Sequence, residues 1–268
     1  MDSDRWPSAP RATLDAVIAV VLAPACVSCN RPLESPLSGV ACSACWASIR
    51  PLSPPLCVTC GDPLPSWRVF SVALSQCPRC RRVPTLVARA RSAGDYAGAL
   101  RSVIHAFKYD GRRSLARPLG RLMNQAGAEL LAEASCVVPV PLHPWRHIRR
   151  GFNQASDLAN ALDAPVLHAL WRRRQTASQT GLTATGRRRN VGGAFRLSPF
   201  LRSREIETLL RGRVVVVVDD VRTTGATLDE CARVLIGAGA RQVRALTAAR
   251  APLVTALRPH NAEGASGR

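Results

Sequence analysis

The stretch VVVVVDDVRTTGATLDE, residues 214–230, combines residue types that ask for chemistry. Five consecutive valines suit a strand buried on both faces of a parallel sheet, and ligands of such sheets bind beyond the carboxyl ends of the strands. Asp219 and Asp220 sit at that end. Thr223, Thr224, Gly225, Ala226 and Thr227 follow, leading into a helix whose apolar face is Leu228, Cys231, Ala232 and Leu235. N–H groups at a helix start, flanked by small hydroxyls and a glycine, cradle a phosphate dianion. Two carboxylates beside that cradle would repel the phosphate unless they engage something else, and sugar hydroxyls or a hydrated Mg2+ are their natural partners. The stretch predicts a ligand with a phosphate at one end and a diol beside it. An α/β turn that binds some other phosphate is the less demanding alternative.

A second loop has complementary chemistry. The apolar strand CVVPV (136–140) runs into PLHPWRHIRRGFNQ (141–154), which puts His143, Arg146, His147, Arg149 and Arg150 at another strand's carboxyl end. Arg149, Arg150 and the backbone around Gly151 are the favoured anion contacts. Lys108, in HAFKYDG, is the chain's single lysine, and in so arginine-biased a sequence it points to a site that needs an ammonium.

Eight of the ten cysteines form four C-x-x-C pairs, Cys26/Cys29, Cys42/Cys45, Cys57/Cys60 and Cys77/Cys80. One such turn aims two thiolates at one ion, and two turns complete the tetrahedral shell that Zn2+ prefers. Twelve residues separate the first two pairs and sixteen the last two, a ribbon-like spacing. Asn30 and Gly61 follow the second cysteine of their pairs, where a knuckle needs a left-handed residue. Pairing in chain order predicts two structural Zn2+ sites, one from Cys26, Cys29, Cys42 and Cys45 and one from Cys57, Cys60, Cys77 and Cys80. Interleaved pairing, a disulfide framework or a redox pair are the alternatives. Cys136 and Cys231 stand alone in apolar context and read as core.

The elements that must position these groups fall into two textures. Residues 1–25 carry a short helix, residues 26–88 read as a double zinc ribbon, residues 89–250 as an α/β domain, and residues 251–268 as a flexible tail. Within the α/β part, helices are predicted over 97–108, 114–133, 154–162 and 225–238, and strands over 136–140, 213–219 and 242–249. Strand and helix in alternation imply a parallel sheet covered on both faces.

The length of 268 residues and 47% hydrophobic content suffice for a large domain and a small one. The 37 basic residues less the single lysine leave 36 arginines, and the net charge is +19. Such a surplus favours polyanions, whether nucleic acid, phosphate esters or acidic surfaces, with merely solvated charge as the alternative. Arg79, Arg81, Arg82, Arg89 and Arg91, with Trp46 and Trp67, are candidate nucleic-acid contacts near the last knuckle, or plain surface. No apolar run approaches the ~20 residues that span a bilayer. Arg5 and Arg11 precede TLDAVIAVVLAPAC, and Ala23-Pro24-Ala25 resembles a cleavage site, but Asp15 and the proline argue against a signal peptide. Leu14, Val17, Ile18, Val21 and Leu22 fit one face of an amphipathic helix, and a cytoplasmic protein is expected.

The hydrophobic-run–DD–x–x–TTG–x–T pattern resembles the phosphoribosyl-pyrophosphate (PRPP) motif of type I phosphoribosyltransferases. The resemblance implies that Asp219 and Asp220 hold ribose hydroxyls and that Thr223 through Thr227 hold the 5′-phosphate. It also implies that Arg150-Gly151 lies where the pyrophosphate is bound, with Mg2+ accompanying PRPP. The cysteine pairs, YAGALRSVIHAFKYDG (96–111), VPVPLHPWRHIRRGFNQA (138–155), RRRQTASQTGLTATGRRRNVGGAF (172–195) and the PRPP motif, in that order, resemble the ComF family of bacterial competence proteins. By that likeness Gln179, Arg187, Arg188, Arg189 and Asn190 lie in a loop that closes over substrate, unless they are an ordinary solvated cluster.

The resemblance implies a PRPP-binding protein of DNA uptake that binds single-stranded DNA, with other DNA-uptake proteins as partners. A catalytic phosphoribosyltransferase of nucleobase or nucleotide salvage and a PRPP-sensing regulator are the alternatives. No segment identifies a base-recognition hood, so the acceptor of any transfer stays open, as does the oligomeric state.

Overall fold

A computed structural model describes residues 8–64, 75–143, 145, 151–174, 186 and 191–251. In chain order the elements used below are α1 (Ser8–Leu22), α2 (Ser43–Ala47), α3 (Pro78–Arg82), β1 (Val87–Asp95), α4 (Gly98–Tyr109), α5 (Ala116–Leu131), β2 (Cys136–Pro139), α6 (Gln154–Ala159), β3 (Leu170–Arg172), β4 (Phe195–Leu197), β5 (Val214–Arg222), α7 (Ala226–Gly237) and β6 (Gln242–Arg250).

The main sheet has the order β1-β6-β5-β2, and every pairing in it is parallel. The valine run explains why β5 lies at its centre. Val216 and Val218 point into the core under α4, α5 and α6, while Val215 and Val217 point into the core under α7 and the β3–β4 hairpin. All five valines are buried, so the strand's period-two alternation is spent on two cores rather than on core and solvent.

Both edges of this sheet are covered, which removes the exposed strand edge that invites association. Beside β2, the Val137 N–H donates to the Pro165 carbonyl (2.8 Å) and the Leu167 N–H to the Val137 carbonyl (2.9 Å). Beside β1, the Ala90 N–H donates to the Thr59 carbonyl (2.6 Å), and Pro51 bridges Gly94. The cysteine-rich segment thus lies along the β1 edge. β1 went unrecognised in the sequence because VARARSAGD shows arginines and small residues instead of an apolar run.

A helix forms over Ser8–Leu22, but its apolar face is not the buried one: Leu14, Val17, Val21 and Leu22 are 51–72% exposed, while Asp15 is buried and accepts the Leu37 N–H at 2.8 Å. This bond joins the Asp15 side of the helix to the turn over Pro36–Ser38. Among the described residues no helix is long and apolar enough to cross a membrane.

Candidate functional site

The eight paired cysteines gather into two quartets, Cys26/Cys29/Cys42/Cys45 and Cys57/Cys60/Cys77/Cys80, with the Sγ atoms of each within 4.8 Å of one another. Pairing in chain order is therefore correct and the interleaved alternative is not. Ligands about 2.3 Å from a zinc ion lie about 3.8 Å apart at the corners of a tetrahedron. The Cys26–Cys45 and Cys29–Cys42 separations are 3.8 Å, and Cys60–Cys77 is 3.6 Å. The donor set and its spacing fit a structural Zn2+ in each quartet.

The two knuckles repeat one local design. Asn30 and Gly61 adopt φ of +59° and +71°, as the turn after the second cysteine requires. In each, the first cysteine's N–H donates across the turn at 2.8 Å, Cys26 to Arg31 and Cys57 to Asp62. The N–H groups of Cys60 and Cys77 point at Cys57 Sγ (3.5 and 3.3 Å). The Cys57 thiol is held down to about 4 by its side-chain contact with Cys60, against burial and with help from these N–H groups. A sulfur so surrounded by donors suits a thiolate ligand. Cys136 and Cys231 are fully buried core residues on the α7 face of the sheet.

At the carboxyl end of β5 the two acids differ. Asp220 is buried, and its carboxylate accepts from Lys108 Nζ at 2.8 Å; the two side chains are 10% and 19% exposed. Lys108 comes from the last turn of α4, 112 residues away in the chain. Burial works against the ammonium, but Asp220 more than offsets it and raises its pKa. Asp219 keeps some exposed surface, yet it lies deep among protein atoms with Asp220 alongside. Burial first, then the neighbouring carboxylate, push its carboxyl up to about 7.

The turn beyond the acids leads straight into the start of α7. Gly225 caps α7 with φ +79°, a left-handed conformation, so the chain reverses there without a side chain over the helix start. Thr224 is buried, and its Oγ1 accepts the Ala226 N–H at 3.4 Å, while Thr223 and Thr227 stay half-exposed. The helix dipole favours negative charge at this end.

The second basic loop starts beside this site. Pro139 pairs with Val218, and the Val140 N–H donates to the Val218 carbonyl at 2.9 Å, so residue 141 leaves the sheet next to Asp219. The loop returns at Gly151, which has φ +75°, and Asn153, whose Nδ2 donates to the Val140 carbonyl at 3.1 Å. Arg149 and Arg150 lie outside the described residues, as do Arg146, His147, Trp67, Gln179 and Arg187 through Asn190.

Arg222 fills one of the unassigned positions of the DD–x–x–TTG–x–T pattern. It is buried, and its guanidinium pairs with Asp62 of the second knuckle, a residue that also lies 3.6 Å from Arg250 Nη1. Nothing in the local sequence signals this, because the partner is 160 residues away. Trp46 packs against the α4 core, and Arg79 turns inward to the Thr224 carbonyl. Arg81 and Arg82 of the same candidate set are exposed.

Two family models match this architecture: a double zinc ribbon domain over residues 17–81 and a phosphoribosyl transferase domain over residues 148–259. The DNA utilization protein YhgH of Escherichia coli K12 is 35% identical over 233 residues, covering 82% of this chain and 93% of that protein. Competence protein F of Haemophilus influenzae is 31% identical over 236 residues, covering 84% and 96%. Among solved structures, an orotate phosphoribosyltransferase from Aeropyrum pernix aligns at 20% identity over 56% of this chain and 76% of that one, with a TM-score of 0.30. With both modules matched in order and alignments of that identity and reach, the chain belongs to the ComF family of DNA utilization and competence proteins.

Proposed function

We propose that the protein binds Mg2+-PRPP at the carboxyl end of β5 and works beside single-stranded DNA in the cell's use of external DNA. The observation that carries the reading is the paired acids beside a helix start whose cap is a left-handed glycine, with one acid matched to a buried ammonium. Asp219 and Asp220 accept from the ribose hydroxyls, and the N–H groups and hydroxyls of Thr223 through Thr227 take the 5′-phosphate. Lys108 offsets the diacid's charge, so that a polyanion is not repelled from a site containing two carboxylates. The loop from 141 to 153, with Arg149, Arg150 and Gly151, receives the pyrophosphate. Mg2+ would supply countercharge on the pyrophosphate and lower the cost of its departure.

For DNA, support comes from the net charge and from one surface of the β3–β4 hairpin. Phe200 is 78% exposed and meets Trp171 edge-on at 6.1 Å between ring centroids. Arg196 lies directly across the ladder from Trp171, and Arg173 and Arg174 are exposed next to it. Exposed rings interleaved with arginine suit stacking on unpaired bases, whose affinity falls with salt. The cytoplasm, where thiols stay reduced, suits two zinc-thiolate sites.

Calorimetry of the full chain with PRPP and Mg2+ tests the first part: saturable binding is expected, lost in Asp219→Asn/Asp220→Asn. Retained affinity in that variant would overturn the assignment. Fluorescence anisotropy with single-stranded oligonucleotides at several salt concentrations tests the second, and no binding at low salt would refute it. Pyrophosphate release that depends on one base would identify a transferase. A DNA affinity that changes with PRPP would identify a regulator.

A further inference from the structure

The loop that carries the anion cradle is not backed by its own domain alone. Behind Thr224 and Gly225 lies an open cleft, lined on its other side by the second knuckle, including Thr59, Arg79 and Cys80. Three contacts cross or close this gap, at the beginning, middle and end of the loop. Asp62 pairs with Arg222, two residues beyond the acids. Arg79 donates its guanidinium N–H to the Thr224 carbonyl. Thr85 and the Leu86 N–H both bond Asp229 Oδ1, the latter at 3.1 Å, in the first turn of α7.

Arg79 is the contact whose position depends most directly on the metal. It lies in the five-residue helix α3, which starts at Cys77 as N-cap and contains Cys80. Both flanking cysteines belong to one quartet, so a bound ion would fix the backbone on either side of Arg79. A helix this short has little stability of its own and takes its geometry from what anchors it. Among the described residues the first quartet shows no such route: Cys26 and Cys45 belong to the core under α4 and α5, on the other face of the sheet from α7.

We propose that Arg79 is a positioning residue for the PRPP loop, and that through it the zinc of Cys57, Cys60, Cys77 and Cys80 is thermodynamically coupled to PRPP, whereas the zinc of Cys26, Cys29, Cys42 and Cys45 is not. The inference rests on the reading of the loop as a PRPP site. A bound phosphate requires Thr224 and Gly225 to hold the conformation that aims their N–H groups outward, and the Arg79 bond favours that conformation. Coupling between two sites is reciprocal. PRPP must then hold the second zinc as firmly as that zinc holds the loop.

The test uses the full chain loaded with Zn2+. A chromogenic chelator in excess reports release of each zinc equivalent, with and without PRPP and Mg2+, while calorimetry reports PRPP affinity separately. At equilibrium with the chelator, PRPP should tighten retention of one of the two equivalents about tenfold, within the usual range of such couplings, and leave the other unchanged. Arg79→Ala should still bind both zinc ions and should lose the protection, with PRPP affinity weakened about tenfold. Arg79→Lys, which keeps a donor to the carbonyl, should recover part of both effects, a rescue that a purely structural defect would not show. If PRPP binds wild type and Arg79→Ala equally and protects neither zinc, the coupling is wrong while the PRPP site stands. If holo-protein does not bind PRPP at all, the reading of the site fails and the coupling falls with it.

Discussion

Replacing Lys108 by methionine keeps the side chain's bulk and removes its ammonium from Asp220. The pair is close, 2.8 Å, and mostly shielded, with side-chain exposures of 19% and 10%. Breaking a buried ion pair by removing one partner costs ~3–5 kcal/mol, because the other charge is left uncompensated. Two acids share this site, which argues against the low extreme, but the lysine's residual exposure admits water, which argues against the high one. A loss of about 4 kcal/mol, on the order of a thousandfold in the unfolding equilibrium, is expected above neutral pH.

The loss should depend on pH in a definite direction. In the folded wild type the Asp219 carboxyl titrates at about 7, above its ordinary 3.8. A raised carboxyl binds its proton more tightly in the folded state than in the unfolded, so its penalty on stability is full above the folded value and shrinks as pH falls through it. Lys108 works to lower Asp219, so its removal moves that titration further up. The defect should therefore be largest near about pH 8 and smaller near about pH 6.

Urea unfolding with Zn2+ held in excess, followed by circular dichroism at both pH values, measures this. Lys108→Met/Asp220→Asn removes both charges and should recover most of the loss, leaving about 1 kcal/mol. A single-variant loss below about 1 kcal/mol, or one that is flat with pH, would mean that solvent screens the pair and that Lys108 is not the diacid's countercharge.

Three further outcomes follow from the same geometry. Gly61→Ala forces a Cβ to within 2.5 Å of the Ala90 carbonyl oxygen at φ +71°, so it should destabilise the protein by about 3 kcal/mol and loosen the second knuckle from β1; thermal unfolding and zinc retention would both register it. Gly225→Ala has similar φ, +79°, but its Cβ meets nothing within 4 Å, so only backbone strain of about 1 kcal/mol is expected, together with weaker PRPP binding in calorimetry. PRPP affinity should fall as pH drops below about 7, where Asp219 takes a proton and loses an acceptor for the ribose; in Asp219→Asn that component of the profile should disappear.

The strongest local signals translated directly into structure. The valine run became a central strand, the predicted helices over 97–108, 114–133 and 225–238 formed within a few residues of those bounds, and Asn30 and Gly61 took left-handed turns. Each of these follows from periodicity or from a backbone requirement that near neighbours impose. The β3–β4 hairpin was not seen because each strand is three residues long, too short to display a period. The spacing of Leu14, Val17, Ile18, Val21 and Leu22 showed the helix α1, but not that most of this face stays exposed while Asp15 bonds the Leu37 N–H.

By itself the sequence determined the residue chemistry: four cysteine pairs with zinc spacing, two acids and a small-residue cradle at a strand's end, and an arginine-rich surplus of charge. Those are properties of side chains within a turn or two of one another. The tertiary structure alone decided the grouping of the quartets, the meeting of Lys108 with Asp220, and the laying of the second knuckle against the loop through Asp62, Arg79 and Thr85. These contacts join residues more than a hundred positions apart, or choose among equivalent cysteine pairs. Their energies depend on which surfaces the packed sheet brings into reach, and no local pattern of residues encodes that.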